Sequence, residues 1–260
     1  MTQHSNNSNI AELAHSLHQA AMMAEPINQI SSQQAISLSD AYQIQQNLIQ
    51  HRVDSGSAII GVKMGFTSEA KMKQMGVNDM IIGILTQDMW IDEGQSIQRN
   101  QFIHPRVEPE ICFILSKDID SVLSENEVKE YVECICPAIE LIDSRYQNFK
   151  FSLEDVVADN CSSAGFCVGE KLDPSTPLLD LPITLKINNE IAEQGNSNDI
   201  LDNPWRSLAA ATRLAKQFNI PLKKGYYVLA GAATSAAFIQ PAQSVSAEVH
   251  SMPSLGFNMI

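Results

Sequence analysis

The chain of 260 residues is predicted to adopt an α+β fold. Two segments near the N-terminus repeat apolar residues at helical spacing, whereas residues 82–187 consist mostly of short β-like runs separated by turn residues. No internal repeat is visible, and 44% hydrophobic residues suffice to fill a sizeable core. Helices and strands that are segregated along the chain in this way are typical of the α+β class.

The first part of the chain is predicted to be helical after a short tail. Residues 1–9 are rich in Ser, Asn and Gln, and this composition predicts disorder. Apolar residues at helical spacing predict helices over 10–24 and 38–53. Ser39 is the predicted cap of the second helix, and Gly56 lies beyond its end.

Residues 10–75 are expected to form a small, mainly helical N-terminal region, followed by a catalytic domain at 76–260. The first region also contains a predicted strand at 57–64 and a predicted short helix at 68–75, which Gly76 is positioned to end.

The catalytic domain is predicted to be rich in strands. The pair Asn188-Asn189 predicts a hairpin turn, because Asn tolerates a positive φ angle. Ser152 and Asp155 have the spacing of a capping box, and Pro204 suits the first turn of a helix. The predicted strands are 83–86, 107–115, 135–142, 165–168, 183–187, 190–192, 226–229 and 245–250, and the predicted helices are 124–134, 152–159 and 204–218.

Composition limits the classes of partner. The formal net charge of −13 argues against nucleic acids and anionic membranes, since both attract basic surfaces. No apolar stretch approaches the roughly 20 residues that span a bilayer, and the N-terminus lacks the pattern of a signal peptide. A cytoplasmic protein is expected. The five cysteines have no zinc or thioredoxin spacing and are predicted to be small buried side chains with reduced thiols.

Three acids in apolar surroundings are the most informative feature of the sequence. Glu108 and Glu110 lie two residues apart in a predicted strand and therefore point to the same face, while Glu140 lies in a second buried strand. Ionised carboxylates in such surroundings need a cation. Oxygen ligands without Cys or His favour Mg²⁺ or Mn²⁺ over zinc. The alternative is an edge strand whose acids face water and pair with Arg106 or a lysine.

Other chemistry is disfavoured. The chain has no Gly-rich phosphate loop and no Gly-x-Ser-x-Gly elbow, so nucleotide binding and serine hydrolysis are not expected.

Four blocks, in order, resemble one known family. They are Gly61 to Met72, His104 to Phe113, Pro137 to Phe151 and Val156 to Phe166. Together they are similar to the 2-oxohex-3-enedioate (4-oxalocrotonate) decarboxylases, which belong with the 2-keto-4-pentenoate hydratases in the fumarylacetoacetate hydrolase superfamily. The likeness spans residues 35–260, although the last ten residues match poorly and support no site assignment.

The resemblance implies a fold and a reaction. The fold is the superfamily's mixed β-roll with peripheral helices. The reaction is metal-dependent decarboxylation of 2-oxohex-3-enedioate to 2-hydroxypenta-2,4-dienoate and carbon dioxide in the meta-cleavage degradation of aromatic compounds. The alternatives are the sister hydratase, or a non-catalytic subunit that stabilises that hydratase. Blocks around Glu108 and Asp143 look more like decarboxylases than hydratases. A homo-oligomer and a complex with the hydratase are the expected assemblies.

The resemblance also implies site residues. Glu108, Glu110 and Glu140 would bind the metal, and Lys63 would bind the substrate carboxylate or handle a proton. The structural alternative for Lys63 is an ordinary surface lysine near a strand end. Asp159 is a predicted catalytic residue.

Further predicted site residues have structural alternatives. Asn160 is assigned to catalysis with Asp159, but both residue types also form caps and turns. Arg145 is expected to bind substrate, or else to form a salt bridge with a neighbouring aspartate. The remaining predicted substrate-binding residues are Arg106, Ser162 and Ser163.

Two residues near these blocks carry weaker signals. Asp79 is either a loop acid near the site or a turn former, and the turn former is the preferred interpretation. His104 lies beside the first acidic strand and could tune the charge of the site, although a lone histidine is more often structural.

Overall fold

The computed structural model describes residues 2–68, 72–73, 77 and 79–260, and only the backbone for residues 2–8. It confirms the α+β prediction. The helices are α1 (Thr2–Met23), α2 (Leu38–Asp54), α3 (Leu153–Ala158) and α4 (Pro204–Phe218). The strands are β1 (Ile59–Gly65), β2 (Ile81–Thr86), β3 (Ser96–Ile97), β4 (Arg106–Leu115), β5 (Val132–Ile142), β6 (Ser163–Val168), β7 (Pro182–Ile187), β8 (Glu190–Asn196), β9 (Tyr227–Ala232), β10 (Ala237–Phe238), β11 (Gln243–Val249) and β12 (Leu255–Met259).

The strands form two sheets. The larger sheet is curled and has the order β2-β1-β9-β4-β5-β6, with β10 paired to β4. Only β1 and β9 run parallel in it; the other pairs among its described strands are antiparallel. The smaller sheet has the order β3-β12-β11-β7-β8. The structure therefore has the mixed β-roll architecture that the resemblance implies.

The two faces of strand β5 have different environments. Ile139 and Leu141 pack into a hydrophobic cluster with Leu185, Val245 and Phe257 of the smaller sheet. Side chains alternate across a strand, so Glu140 between them points to the opposite face. Strand β5 thus packs apolar side chains against the smaller sheet on one face and carries Glu140 on the other.

Helix α1 packs against α2, and α2 contacts β2 of the larger sheet. The capping box of α2 uses Ser37 and Asp40, so the prediction of Ser39 as the cap was wrong. Ser37 is the residue with an extended backbone, and this conformation is what lets a side chain cap the helix. Helix α1 begins at Thr2, where disorder was predicted, and residues 2–9 contain no Gly or Pro to break it.

The division of the chain at residue 75 stays a prediction. In the structure, β1 on the N-terminal side of that boundary pairs with β2 and β9 on the other side. The predicted helix at 68–75 and its terminal Gly76 lie mostly outside the described residues.

Strand pairing outweighs the helical spacing of residues 124–134. Residues 124–134 were predicted to be helical, but only Val128–Tyr131 form a single 3₁₀ turn, and β5 begins at Val132. Val132 pairs with Leu115 of β4, which draws the segment into the sheet. The prediction was wrong because the start of this β5 segment forms its backbone pairing with β4, a neighbour that the sequence alone does not reveal.

The other predicted elements are largely confirmed. Ser152 and Asp155 form the capping box of α3, and Pro204 begins α4. Asn188 and Asn189 both have positive φ angles in the turn between β7 and β8. Strand β12 was not predicted; it pairs with β11 and β3 and buries Phe257.

The described cysteines are all buried free thiols, as predicted. Across the part of the chain that the structure describes, no helix is both long enough and apolar enough to cross a membrane.

Candidate metal centre and active-site cavity

Strand pairing brings the three predicted metal ligands together. Glu108 of β4 lies directly opposite Glu140 of β5, and Glu110 follows two residues along on the same face. One carboxylate oxygen from each of the three lies within 4.8 Å of the others. Strand β4 is internal, between β9 and β5, so the alternative of an edge strand facing water is wrong for these acids.

The carboxylates fit a hard divalent cation. Glu110 and Glu140 are completely buried, and the Oε1 atom of each has no hydrogen-bond partner among the described residues. Buried acceptors without partners are costly unless a cation or proton compensates them. Three ionised glutamates beside one lysine carry a net charge of −2, which a divalent cation neutralises. Oxygen ligands are those that Mg²⁺ and Mn²⁺ prefer.

A β-bulge in β9 supplies a backbone donor to this cluster. The pairing of β4 with β9 shifts by one residue between Glu110 and Cys112. Gly231 lies in the bulge with φ +102°, and its N–H donates a hydrogen bond of 2.7 Å to Glu110 Oε2. A Cβ atom at this position would also lie 2.0 Å from Thr67 Oγ1, so both the conformation and the space require glycine.

Lys63 provides the positive charge of the site. It extends from β1, and the curl of the sheet brings its Nζ atom to 2.9 Å from Glu140 Oε2. Nζ also donates a hydrogen bond of 3.1 Å to the Cys161 carbonyl oxygen. Lys63 is buried, which contradicts the surface-lysine alternative. Gly83 on the neighbouring strand leaves room for its stem, since a Cβ atom there would lie 3.0 Å from Lys63 Cδ.

Burial and charge shift the pKa values in this cluster. Burial raises the pKa of Glu110 well above its usual range, and the neighbouring Glu140 raises it further. Burial also raises the pKa of Glu140, although Lys63 opposes the shift. For Lys63, burial lowers the pKa, but the attraction of Glu140, Cys161 and the other acids outweighs burial and raises it overall. Lys63 is therefore held as an ammonium ion.

A cavity of about 280 Å³ opens above this cluster. Lys63 and Glu108 form part of its polar lining, together with Arg106 and Ser162. Its apolar lining includes Ile81, Ile142, Phe149, Phe151 and Val156. A space of this size with a few convergent charged groups suits a small anionic ligand.

A left-handed turn closes one side of the cavity. Asn160, Cys161 and Ser162 have φ angles of 49°, 54° and 59°. The Ser162 Oγ atom is buried and has no hydrogen-bond partner among the described residues, so it is available to a ligand. The Ser163 hydroxyl instead lies 3.8 Å from Met89 Sδ and does not line the cavity.

The side chain of Asn160 holds this turn in place. Its Nδ2 atom donates to the Ile84 carbonyl oxygen and its Oδ1 atom accepts from the Ile84 N–H, both at 2.8 Å. The buried Gln45 of α2 donates to the carbonyl oxygens of Ile82 and Val157, which anchors β2 and α3 beside the turn. These contacts favour a positioning role for Asn160 over the predicted direct catalytic contact.

Arg145 and Asp159 form a buried ion pair with each other. The Arg145 guanidinium donates to an Asp159 carboxylate oxygen, and the Arg145 N–H donates to the other oxygen at 3.0 Å. Arg145 also donates to the carbonyl oxygens of Asp159 and Ser163. Burial raises the pKa of Asp159 to about 6, although Arg145 opposes the shift. Neither side chain lines the cavity, so the salt-bridge alternative describes this pair.

His104 and Asp79 lie outside the cluster of acids. His104 packs the edge of its ring against Phe149, and its backbone N–H donates to Asp143. Asp79 forms an exposed bidentate ion pair with Arg213.

Comparisons with known proteins agree with this geometry. A family model described as fumarylacetoacetate (FAA) hydrolase C-terminal matches residues 41–258, which is most of the chain. The chain belongs to the fumarylacetoacetate hydrolase family.

Three family members show how close the likeness is. A 4-oxalocrotonate decarboxylase from a Pseudomonas species is 45% identical over 96% of this chain and 97% of its own length. A 2-hydroxypent-2,4-dienoate hydratase from Pseudomonas putida is 32% identical over 81% of this chain and 97% of its own. The solved structure of 4-oxalocrotonate decarboxylase from Pseudomonas putida G7, complexed with magnesium and adipate, superposes with a TM-score of 0.94. It is 28% identical and covers 98% of both chains.

Several residues of the site in this family member were not predicted. Gly231 contributes a backbone N–H, and no sequence pattern marks a bulge in β9. Phe149 and Phe151 line the cavity from a turn whose direction is set by left-handed residues. Gln45 lies on the apolar face of a predicted helix, and a polar residue at such a position was the one signal that could have indicated its role.

We expect each of the substitutions Glu108→Gln, Glu110→Gln and Glu140→Gln to weaken Mg²⁺ binding by more than roughly tenfold, because each removes a charged oxygen ligand. Titration calorimetry measures the affinity. Glu133→Gln is the matched control, because Glu133 lies on β5 but is exposed. Unchanged affinity in all three site variants would rule out this metal centre.

We also expect the apparent affinity for Mg²⁺ to rise with pH. The raised pKa values of Glu110 and Glu140 mean that the metal-free site holds a proton up to a higher pH than ordinary carboxyls do, and the cation must displace it. The folded metal-free protein binds more protons than the unfolded chain, so its stability should fall as pH rises towards the folded-state pKa values. Calorimetry in buffers of different ionisation enthalpy detects the released protons. Binding without proton release at any pH would contradict the expectation.

Proposed function

We propose that this family member is a metal-dependent 4-oxalocrotonate decarboxylase, a carboxy-lyase of the meta-cleavage degradation of aromatic compounds. It would convert 2-oxohex-3-enedioate to 2-hydroxypenta-2,4-dienoate and carbon dioxide. The observation that carries the proposal is the cluster of Glu108, Glu110 and Glu140 beside Lys63 at the base of a cavity. The 45% identical relative named as this decarboxylase supports the choice of reaction.

Glu108, Glu110 and Glu140 would hold Mg²⁺ or Mn²⁺. The solved relative that binds magnesium supports this choice of metal. When bound, the cation supplies Lewis-acid stabilisation of negative charge on a substrate oxygen. The protein orients the ligands itself: strand pairing sets the Glu108 and Glu140 positions, and the Gly231 N–H fixes one oxygen of Glu110.

The reaction shifts electrons along the conjugated carbon chain of the substrate. The bond between the distal carboxylate and C5 breaks, and its electrons form the C4–C5 double bond. The former C3–C4 double bond shifts to C2–C3, and the 2-oxo oxygen takes up the charge and then a proton. The distal carboxylate leaves as neutral carbon dioxide, so the protein must bind that end in the ground state without holding it in the transition state.

Lys63 would bind the 2-oxo acid end of the substrate and supply the proton that the 2-oxo oxygen takes up. It is an ammonium ion in a buried site, where a charge-assisted hydrogen bond to a developing oxyanion is stronger than in water. Its hydrogen bond to the Cys161 carbonyl oxygen and its ion pair with Glu140 fix Nζ in the cavity.

The remaining residues divide into two groups. Arg106 and Ser162 line the cavity and would bind substrate oxygens. The others would position the turn that carries Ser162, rather than touch the substrate, and they are Arg145, Asp159, Asn160 and Ser163. The predicted cytoplasmic location, homo-oligomer and complex with 2-hydroxypentadienoate hydratase remain part of this proposal.

Two assays on the purified protein test the reaction. We expect Mg²⁺-dependent release of carbon dioxide from 2-oxohex-3-enedioate, with little loss of dienoate absorbance when 2-hydroxypenta-2,4-dienoate is supplied instead. Removal of the metal with a chelator should abolish the release, because the developing charge then lacks its main stabilisation. Efficient hydration of the dienoate without carbon dioxide release would favour the hydratase. Inactivity in both assays would favour the non-catalytic subunit.

A second prediction concerns Lys63. We expect Lys63→Met to lower kcat/KM by more than roughly a hundredfold, because a buried cationic donor beside the developing charge on the 2-oxo oxygen is lost. Lys63→Arg should rescue poorly, since a planar guanidinium cannot occupy the same buried space. The matched control is Lys171→Met at an exposed position. Steady-state kinetics and Mg²⁺ affinity are measured together. A wild-type kcat/KM in the Lys63→Met variant would contradict the role assigned to Lys63.

A further inference from the structure

Arg106 lies on strand β4, two residues before Glu108 of the metal cluster. It shares the face of β4 with Glu108, two residues away, which corresponds to roughly 7 Å along an extended strand. It lines the same cavity as Lys63 and Glu108. A ligand whose one end lies at the glutamates and Lys63 can therefore present its other end to Arg106.

The ring of Phe149 supports the guanidinium group of Arg106. The guanidinium carbon lies 4.3 Å from the ring centroid, which is within the range of a cation–π contact. The Arg106 Nε atom is buried and has no hydrogen-bond partner among the described residues. The His104 ring also lies 6.1 Å from the Phe149 ring, in a T-shaped arrangement. Arg106 is thus oriented by an aromatic face while its donors stay available to a ligand.

The backbone around Phe149 is built to hold the ring in this place. Asn148 and Phe149 have φ angles of 59° and 56°, which are unusual for residues other than glycine. The preceding residues anchor this turn: the Gln147 N–H donates to the Ile27 carbonyl oxygen, and the buried Tyr146 hydroxyl donates to the Asp155 carbonyl oxygen. An unfavourable conformation that its surroundings enforce indicates a function for the side chain it directs.

We propose that Phe149 is the positioning residue that holds Arg106 for the second carboxylate of the substrate, and that it thereby sets the preference for dicarboxylic over monocarboxylic 2-oxo acids. This inference rests on the proposed function for the identity of the substrate. Arginine loses considerable rotamer freedom when it binds a ligand, and a ring that fixes its plane beforehand reduces that loss. The guanidinium lies over the ring face, and its N–H groups that point away from the ring are left for a contact with carboxylate.

The experiment uses a matched pair of unreactive ligands on the Mg²⁺-loaded protein. 2-Oxoadipate and 2-oxohexanoate share the 2-oxo acid end and differ only in the distal carboxylate. Titration calorimetry gives the affinity for each. We expect wild-type protein to prefer 2-oxoadipate, and Arg106→Met to abolish that preference. Phe149→Leu should reduce it by roughly fivefold to tenfold through weaker binding of 2-oxoadipate alone.

Two further variants separate positioning from packing. Phe149→Tyr keeps an aromatic face and should restore the preference. Phe151→Leu tests packing alone, because Phe151 also lines the cavity and contacts Phe149 without carrying a cation; it should change the affinity for both ligands equally and leave the preference unaltered. An unchanged preference in Phe149→Leu, or equal weakening of both ligands, would overturn the inference. The measurement does not depend on turnover, so a wild-type protein that discriminates the ligands but releases no carbon dioxide would refute the proposed reaction and leave the inference standing.

Discussion

The structure depends on three carboxylates on one face of a sheet, two of which are completely buried. Glu110 and Glu140 have no access to solvent, and desolvating their charges is costly without compensation. Two compensating groups come from distant parts of the chain, namely the ammonium of Lys63 and the N–H of Gly231. The curl of the larger sheet, the bulge in β9 and the small residue at Gly83 all serve to bring these groups to the acids.

The balance of charge also accounts for an acidic protein that acts on an anion. The chain carries a formal net charge of −13, which repels a dicarboxylate at long range. At the site, Lys63 and Arg106 line the cavity while a divalent cation would neutralise the glutamates. At physiological ionic strength, charges beyond about 8 Å are largely screened. The positive groups in the cavity therefore outweigh the overall charge once the substrate has entered.

The sequence was sufficient to predict the acids but not the network around them. Glu108 and Glu110 could be placed on one face because strand periodicity requires nothing beyond local spacing. Arg145 and Asp159 were harder, because their direction depends on a left-handed turn of non-glycine residues that no pattern marks. The start of β5 and the hydrogen bond from Gly231 depend on which strands become neighbours. A single sequence does not reveal that pairing.

The amide of Gln45 ties helix α2 to the catalytic sheet. It bridges the carbonyl oxygens of Ile82 on β2 and Val157 on α3, and it lies 3.7 Å from the Cys161 sulfur atom. The match to the family model begins at residue 41, inside α2, and so excludes the capping box of that helix. The boundary of the shared family domain is therefore not a boundary of the folding unit. A recombination at residue 41 would keep the part of α2 that carries Gln45 but remove the Ser37–Asp40 capping box at the start of that helix.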